Sequence, residues 1–284
     1  MITVNGYAKI NLTLDILGKR PDGFHEVAMV MQSLALNDTL TLEKDAGIKL
    51  TIEGSDLPAD DTNLAWRAAD LMRRECNIGG ADIKLTKRIP IAAGLAGGSA
   101  DAAAVLRGLN ELYGLNLSWA DLAKLGAKLG SDIPFCLYGG TMLATGRGEI
   151  LTPMDALPKT QIVLAKPPIS ISTPWAYREY DALTEVNHPD NDAMQKAIAS
   201  GNIMEVASLL GNVLEGVAVA AYPVIEEYKQ AMLSQGAIAA MMSGSGPTVF
   251  ALTKDEVVAN KIAAYLEANT QAQVVVTQTT AGNY

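Results

Sequence analysis

The stretch Ile89–Asp101, I-P-I-A-A-G-L-A-G-G-S-A-D, constrains this chain more than any other. Gly94, Gly97 and Gly98 sit where a strand-like segment, Asp82–Ile89, gives way to the alanine- and leucine-rich run Ala100–Leu112. Glycine lacks a Cβ and reaches positive φ, so a backbone can approach another group closely there. The run that follows favours helix. The first turn of such a helix presents unpaired N–H groups, and the macrodipole adds positive potential to them. That makes the loop an anion site, with phosphate the usual occupant. The plainer alternative is a tight connection that binds nothing, since glycine is ordinary turn punctuation. Spacing excludes two familiar phosphate loops. No lysine follows the glycines as G-x-x-x-x-G-K-[ST] demands, and Gly94–Gly98 does not supply G-x-G-x-x-G.

A chain of 284 residues can bury a full core, and its length favours two domains. Its formal charge of −9 argues against nucleic acid or an anionic membrane as partner, because both need basic surface. An acidic protein that binds phosphate must gather its few cations locally, and Lys9, Lys19, Arg20, Lys87 and Arg88 are the clusters available. Cys76 and Cys136 form no disulfide framework and no C-x-x-C pair, and His25 and His188 lack zinc-ligand spacing. Met1–Tyr7 has neither a basic nor an apolar leader character, and no apolar run approaches the ~18 residues of a membrane span. A cytoplasmic location is expected, with monomer and homodimer both open.

From Tyr7 to Leu17 apolar and polar residues alternate, which predicts a half-buried strand. Ile10, Leu12, Leu14 and Ile16 share one face, and Lys9, Asn11, Thr13 and Asp15 the other, whose plain reading is a solvated surface. The breaker Arg20-Pro21-Asp22-Gly23 delivers Phe24-His25, a pair able to stack on a ligand ring or, for Phe24, to join the core. Strands follow at Val27–Ala35, Thr39–Glu43 and Ile48–Ile52, then a helix over Asn63–Cys76. Ser118 opens a capped helix that Gly130 closes. Asp132, two residues before Pro134, reads as a helix N-cap or turn starter. A hairpin should lie between Gly139-Gly140 and Leu151, and Leu151–Lys159 reads as a crossover. Beyond it, strands are expected at Gln161–Lys166, Ala237–Met242, Thr248–Thr253 and Gln273–Thr279. Helices are expected at Pro174–Leu183, Asn191–Leu210, Tyr222–Gln235 and Glu256–Ala268. The second glycine loop, Ser243–Pro247, is most simply a hairpin turn; facing a ligand across a cleft is the sharper alternative.

Y-A-K-I-N-L, P-I-A-A-G-L-A-G-G-S-A-D and S-G-S-G-P-T-V-F, in this order, resemble the galactokinase, homoserine kinase, mevalonate kinase and phosphomevalonate kinase (GHMP) superfamily. R-P-D-G-F-H, N-L-A, G-S-D-I-P-F and S-T-P-W-A-Y resemble one branch of it, whose acceptor alcohol is a cytidine diphosphate-linked methylerythritol. The resemblance implies an α+β GHMP kinase fold. Residues 1–158 would form a ribosomal S5 domain 2-like N-terminal domain and residues 159–284 a ferredoxin-like C-terminal one, with the site between them. It implies ATP as donor, Mg²⁺ beside it, and transfer to the 2-hydroxyl of a small-molecule acceptor.

The same resemblance assigns roles. Asp132 would be the general base with Lys9 beside it. Pro90, Ala92, Ala93, Gly94, Leu95, Ala96, Gly97, Gly98 and Ser99 would hold the ATP phosphates, with Ser99 a candidate Mg²⁺ contact and no firm metal-ligand set. Asn63 and Lys87 would bind the adenosine part. Phe24 and Tyr177 would stack on the cytosine, the His25 backbone would read its edge, and Asn11 and Thr173 would bind other parts of the substrate. Ala93 and Ala96 stand where many relatives have glycine, so neither position is expected to need positive φ. Phe24 replaces a common tyrosine, which keeps the stack without the hydroxyl, and Met31 replaces a common aromatic, which implies a softer pocket wall. A Cβ at Gly97 is expected to keep phosphate off the backbone. The rival readings are a kinase of the superfamily with another acceptor and a non-catalytic nucleotide binder.

Overall fold

The computed structural model describes residues 1–282. The first half of the chain runs β1 (Ile2–Lys19), β2 (His25–Asp45), β3 (Ile48–Glu53), α1 (Leu64–Cys76), β4 (Gly80–Thr86), α2 (Gly97–Tyr113), α3 (Trp119–Ala127), α4 (Ile133–Tyr138), β5 (Thr141–Thr145) and β6 (Ile150–Pro153). The second runs β7 (Gln161–Lys166), α5 (Thr173–Tyr180), α6 (Asn191–Ser200), α7 (Ile203–Ser208), β8 (Gly211–Asn212), α8 (Glu215–Ala221), α9 (Val224–Ser234), β9 (Ala239–Met242), β10 (Val249–Thr253), α10 (Glu256–Asn269) and β11 (Gln273–Gln278).

The strands form two sheets. One has the order β3-β4-β2-β1-β8, with β5 added to β2 and β6 to β5. The two strands expected at Val27–Ala35 and Thr39–Glu43 are a single strand, β2, which pairs with β5 through Met29–Gln32 and with β4 through Thr39–Asp45. The polar step Asn37-Asp38 between those partners breaks the apolar pattern, not the backbone. The other sheet is antiparallel, in the order β11-β7-β10-β9. With α10 linking β10 to β11, this is the split βαβ arrangement of a ferredoxin-like unit.

The polar face of β1 is not solvated. Lys9, Asn11, Thr13 and Asp15 are as buried as Ile10, Leu12, Leu14 and Ile16. The second half of the chain covers them: β8 pairs in parallel with Thr13 and Leu14, Asn191 meets Thr13 at 2.5 Å, and His188 meets Asp15 at 2.6 Å. The helix expected over Asn191–Leu210 divides at Gly201, where φ is +68°, and Asn202 caps the second piece. After β11 the chain returns to the first sheet, where Thr280 N–H donates to Ser33 O at 3.0 Å. Among the described residues no helix is long and apolar enough to cross a membrane.

Candidate active site

The glycine stretch folds as a loop between β4 and α2, and its backbone is unusual at three positions. Ala92, Gly94 and Ala96 have φ of +49°, +72° and +57°. Ala93 fits the expectation of an ordinary backbone; Ala96 does not. The left-handed region costs an L-residue about 1–2 kcal/mol, so the surroundings must hold the loop in place. They do so through Lys9 N–H to Leu95 O at 3.1 Å, and through Lys9 Nζ and Ser243 Oγ, each donating to Gly94 O at 3.0 Å.

The first backbone bond of α2 runs from Ala100 N–H to Ala96 O at 2.9 Å. The N–H groups of Gly97, Gly98 and Ser99 therefore have no acceptor among the described residues, as the first turn of a helix dictates. All three residues line a cavity of about 860 Å³. Gly97, however, does not turn its missing side chain toward that space. A Cβ there would meet Ile89 at 3.1 Å and Lys87 Nζ at 3.4 Å, beneath the loop. Gly98 is exposed, and a Cβ on it would touch only Leu64, at 3.4 Å.

Lys9 and Asp132 line the same cavity. Lys9 is 4% exposed, and its ammonium donates to Asn11 Oδ1 at 2.7 Å as well as to Gly94 O. Asp132 stands at the N-cap position of α4 but does not cap it. Pro134 lacks one of the N–H groups a cap would accept from. The Asp132 carboxylate makes no hydrogen bond and no ion pair among the described residues. Its charge is felt nearby. Burial, and then Asp132, push the Tyr177 phenol up to about 12. Burial and Asp132 also raise the Cys136 thiol, while Lys9 pulls it the other way. Cys136 is a buried, inert thiol.

Beneath the loop, Lys87 Nζ is shared by two carboxylates, Asp38 at 2.5 Å and Asp101 at 2.8 Å. Asp38 also accepts from the N–H groups of Arg88 at 2.5 Å and Ile89 at 2.9 Å. Asp101 Oδ1 is buried without a partner, and burial, opposed by Lys87 and reinforced by Asp38, raises this carboxyl to about 7. Lys87 thus borders the cavity with its ammonium already engaged.

At the far end of the cavity Phe24 is 52% exposed, with the Arg147 guanidinium 5.0 Å from its ring. The His25 ring packs on Tyr177, centroids 4.9 Å apart. Thr173 Oγ1 meets Ser245 Oγ at 2.8 Å, and Gly244, Ser245 and Gly246 line the cavity. The second glycine loop therefore joins two strands and also faces the first loop.

Residues 63–140 match the GHMP kinases N terminal domain and residues 194–271 the GHMP kinases C terminal domain. The 4-diphosphocytidyl-2-C-methyl-D-erythritol kinase of Pelotomaculum thermopropionicum is 49% identical over 98% of both chains. The chain belongs to this family of GHMP kinases. The kinase of the same name from Geobacillus kaustophilus is 50% identical over 90% of this chain and 89% of its own. A crystal structure of 4-(cytidine 5'-diphospho)-2C-methyl-D-erythritol kinase is 34% identical, covers 99% of this chain and 100% of its own, and superposes with a TM-score of 0.83. Homoserine kinase from Cytophaga hutchinsonii, at 19% identity, TM-score 0.74 and coverage of 99% and 95%, shares the fold.

Of the residues that resemblance to GHMP kinases singled out, the cavity wall gathers Lys9, Asn11, Phe24, His25, Lys87, Pro90, Ala92, Ala93, Gly94, Ala96, Gly97, Gly98, Ser99, Asp132, Thr173 and Tyr177. Asn63 and Leu95 are outside it. Asn63 caps α1 by accepting from Ala65 N–H at 2.9 Å and donates to Pro58 O at 2.9 Å, while Leu95 is buried beneath the loop. Met31 is fully buried and forms no wall; Met29, two residues earlier on β2, lines the cavity in its place. Sequence reasoning gave no site role to Arg147, Arg178 and Asp181, which also line it. Only Arg147, flanked by two glycines, carried a local signal.

Proposed function

We propose that the protein transfers the terminal phosphate of ATP to the 2-hydroxyl of 4-diphosphocytidyl-2-C-methyl-D-erythritol, a step toward isoprenoid precursors, with Asp132 as general base. The observation that carries the mechanism is the unpartnered Asp132 carboxylate on a cavity that Gly97, Gly98 and Ser99, with their open amides, also line. Those amides and the helix dipole suit the triphosphate tail. Lys9, Lys19, Arg147 and Arg178 line the same cavity in a protein of net charge −9, which supplies local positive charge where two anionic substrates would lie.

A tertiary alcohol is a weak nucleophile. Asp132 accepts its proton as the bond to phosphorus forms, an effect worth about 10² to 10⁴ in rate. Lys9 has spent two donors on Asn11 and Gly94, so its third proton is free for the hydroxyl or the transferred phosphoryl oxygens. Phe24, Tyr177 and His25 bind the cytidine end, and Asn11 and Thr173 the remainder. In this reading residues 1–158 carry the phosphate loop and the base, and residues 159–284 complete the acceptor wall.

ATP would bring Mg²⁺. Among the described residues no group of three His, Cys, Asp or Glu side chains could hold a metal unaided. That donor set fits an ion held mostly by phosphate oxygens and water with one protein oxygen, which Ser99 at the cavity wall can supply. The ion would neutralise charge on the transferred group.

The test is a panel of acceptor alcohols with labelled ATP. Label should enter the cytidyl alcohol alone. Phosphorylation of homoserine or mevalonate with the cytidyl alcohol untouched would overturn the assignment.

A further inference from the structure

We propose that Asp181 is a positioning residue that clasps the β1–β2 hairpin onto the end of α5 and thereby fixes the acceptor-binding wall. The tip of that hairpin is exposed. Its turn is closed by Arg20 N–H to Phe24 O at 2.8 Å and Gly23 N–H to Arg20 O at 3.1 Å, with Phe24 N–H on Asp22 Oδ1 at 3.1 Å. All of these bonds lie within the hairpin. Outside the hairpin, the Arg147 guanidinium lies 5.0 Å from the Phe24 ring, and Gly146 N–H donates to Glu26 Oε1 at 3.1 Å, so the β2 side of the tip is held from the β5–β6 turn.

Asp181 supplies the anchor on the α5 side, and it reaches both strands at the tip. It stands at the C-cap of α5, where a carboxylate faces the negative end of the helix dipole and is unfavourable without compensation. Compensation comes from the hairpin's two ends: Lys19 Nζ lies 2.8 Å from Oδ2 and His25 Nε2 lies 2.6 Å from Oδ1. These contacts hold the Asp181 carboxyl below its ordinary range, Lys19 first and His25 second.

The two bonds are unequal. The Lys19 side chain is 62% exposed, and such surface pairs contribute little. The His25 side chain is 10% exposed and packs at a tilt on Tyr177, so its bond to Asp181 sets the imidazole and, through it, the Phe24–His25 backbone. Asp181 acts through His25.

This inference rests on the cytidyl alcohol being the acceptor, so the experiment has one arm that needs no acceptor. In steady-state assays Asp181→Ala should raise KM for the cytidyl alcohol roughly tenfold, with kcat and KM for ATP within about twofold of wild type. Asp181→Glu should recover most of that loss. Without ligands, hydrogen exchange at residues 20–25 should be faster in Asp181→Ala than in wild type, with α2 unchanged. Unaltered exchange at residues 20–25 overturns the clasp whatever the acceptor. A parallel fall in kcat, ATP affinity and melting temperature that Asp181→Glu does not repair also overturns it, since that marks general destabilisation. Wild-type enzyme inactive on the cytidyl alcohol would instead defeat the proposed function and leave the exchange result to decide the clasp.

Discussion

Asp132 and Asp101 are two carboxylates near one loop, and their surroundings set them to different tasks. Asp132 faces the cavity with no partner, so Asp132→Asn removes a proton acceptor without disturbing the packing around it. Its kcat should fall by about 10² to 10⁴ while ATP affinity, read by calorimetry, stays within about threefold. Unchanged kcat would remove the base from the mechanism. Asp101 is sealed beside Lys87 and Asp38, and burial raises it to about 7. The folded protein therefore keeps a proton there at pH values where the unfolded chain, near 3.8, has released it. Stability from this group is full below the unfolded value and is lost as pH rises toward the folded one. Asp101→Asn imitates the protonated form and leaves the Lys87–Asp38 pair matched. Its stability relative to wild type should therefore climb between about pH 4 and pH 7, by at most a few kcal/mol. Urea midpoints of the two proteins across that range would show it. A constant difference would mean Asp101 is ionised throughout.

At the scale of elements, the start of α2 separates two kinds of glycine. Gly97 is small because Ile89 and Lys87 lie beneath it, whereas Gly98 opens on the cavity. Gly98→Val should therefore raise KM for ATP at least about tenfold, with KM for the acceptor little changed and stability within about 1 kcal/mol. Gly97→Val should act mainly through stability, because its methyls press on packed side chains. Equal effects of Gly98→Val on both substrates would mean the loop only shapes the cavity. The sequence announced this helix through glycine followed by alanine, expected over Ala100–Leu112 and observed over Gly97–Tyr113, and β7 at Gln161–Lys166 has its expected ends. It was silent where a partner distant in sequence decides. Asp38 finds Lys87 across 49 positions, and β2 is one strand because two different strands pair along it. β8 spans only Gly211–Asn212 and exists because β1 lies alongside, so no periodicity could reveal it. Ala96 was misread for a related reason: residue type predicts backbone conformation only until neighbouring bonds outweigh about 1–2 kcal/mol of strain.

The molecule as a whole depends on where its two glycine loops meet. Gly94 and Ser243 are 149 residues apart, yet Ser243 Oγ donates to Gly94 O at 3.0 Å, and the same oxygen accepts from Lys9 Nζ. The backbones lie so close that a Cβ on Gly94 would fall on the Ser243 carbonyl, and one on Gly244 would stand 3.2 Å from Lys9 Nζ. One carbonyl thus joins the first glycine loop, the Lys9 ammonium and the loop from the second sheet. Gly94→Ala adds left-handed strain of about 1–2 kcal/mol at φ +72° and drives the two loops apart. Ser243→Ala removes one hydrogen bond, worth about 1 kcal/mol, and leaves the close approach intact. The first variant should lose more than about tenfold in kcat and several degrees in melting temperature. The second should stay within about threefold of wild-type kcat and melt about 2–4 °C lower. If shape at the junction aligns donor and acceptor, the two variants separate in kcat far more than in melting temperature. A Gly94→Ala enzyme with wild-type kcat would show that the loops touch without the reaction needing them to.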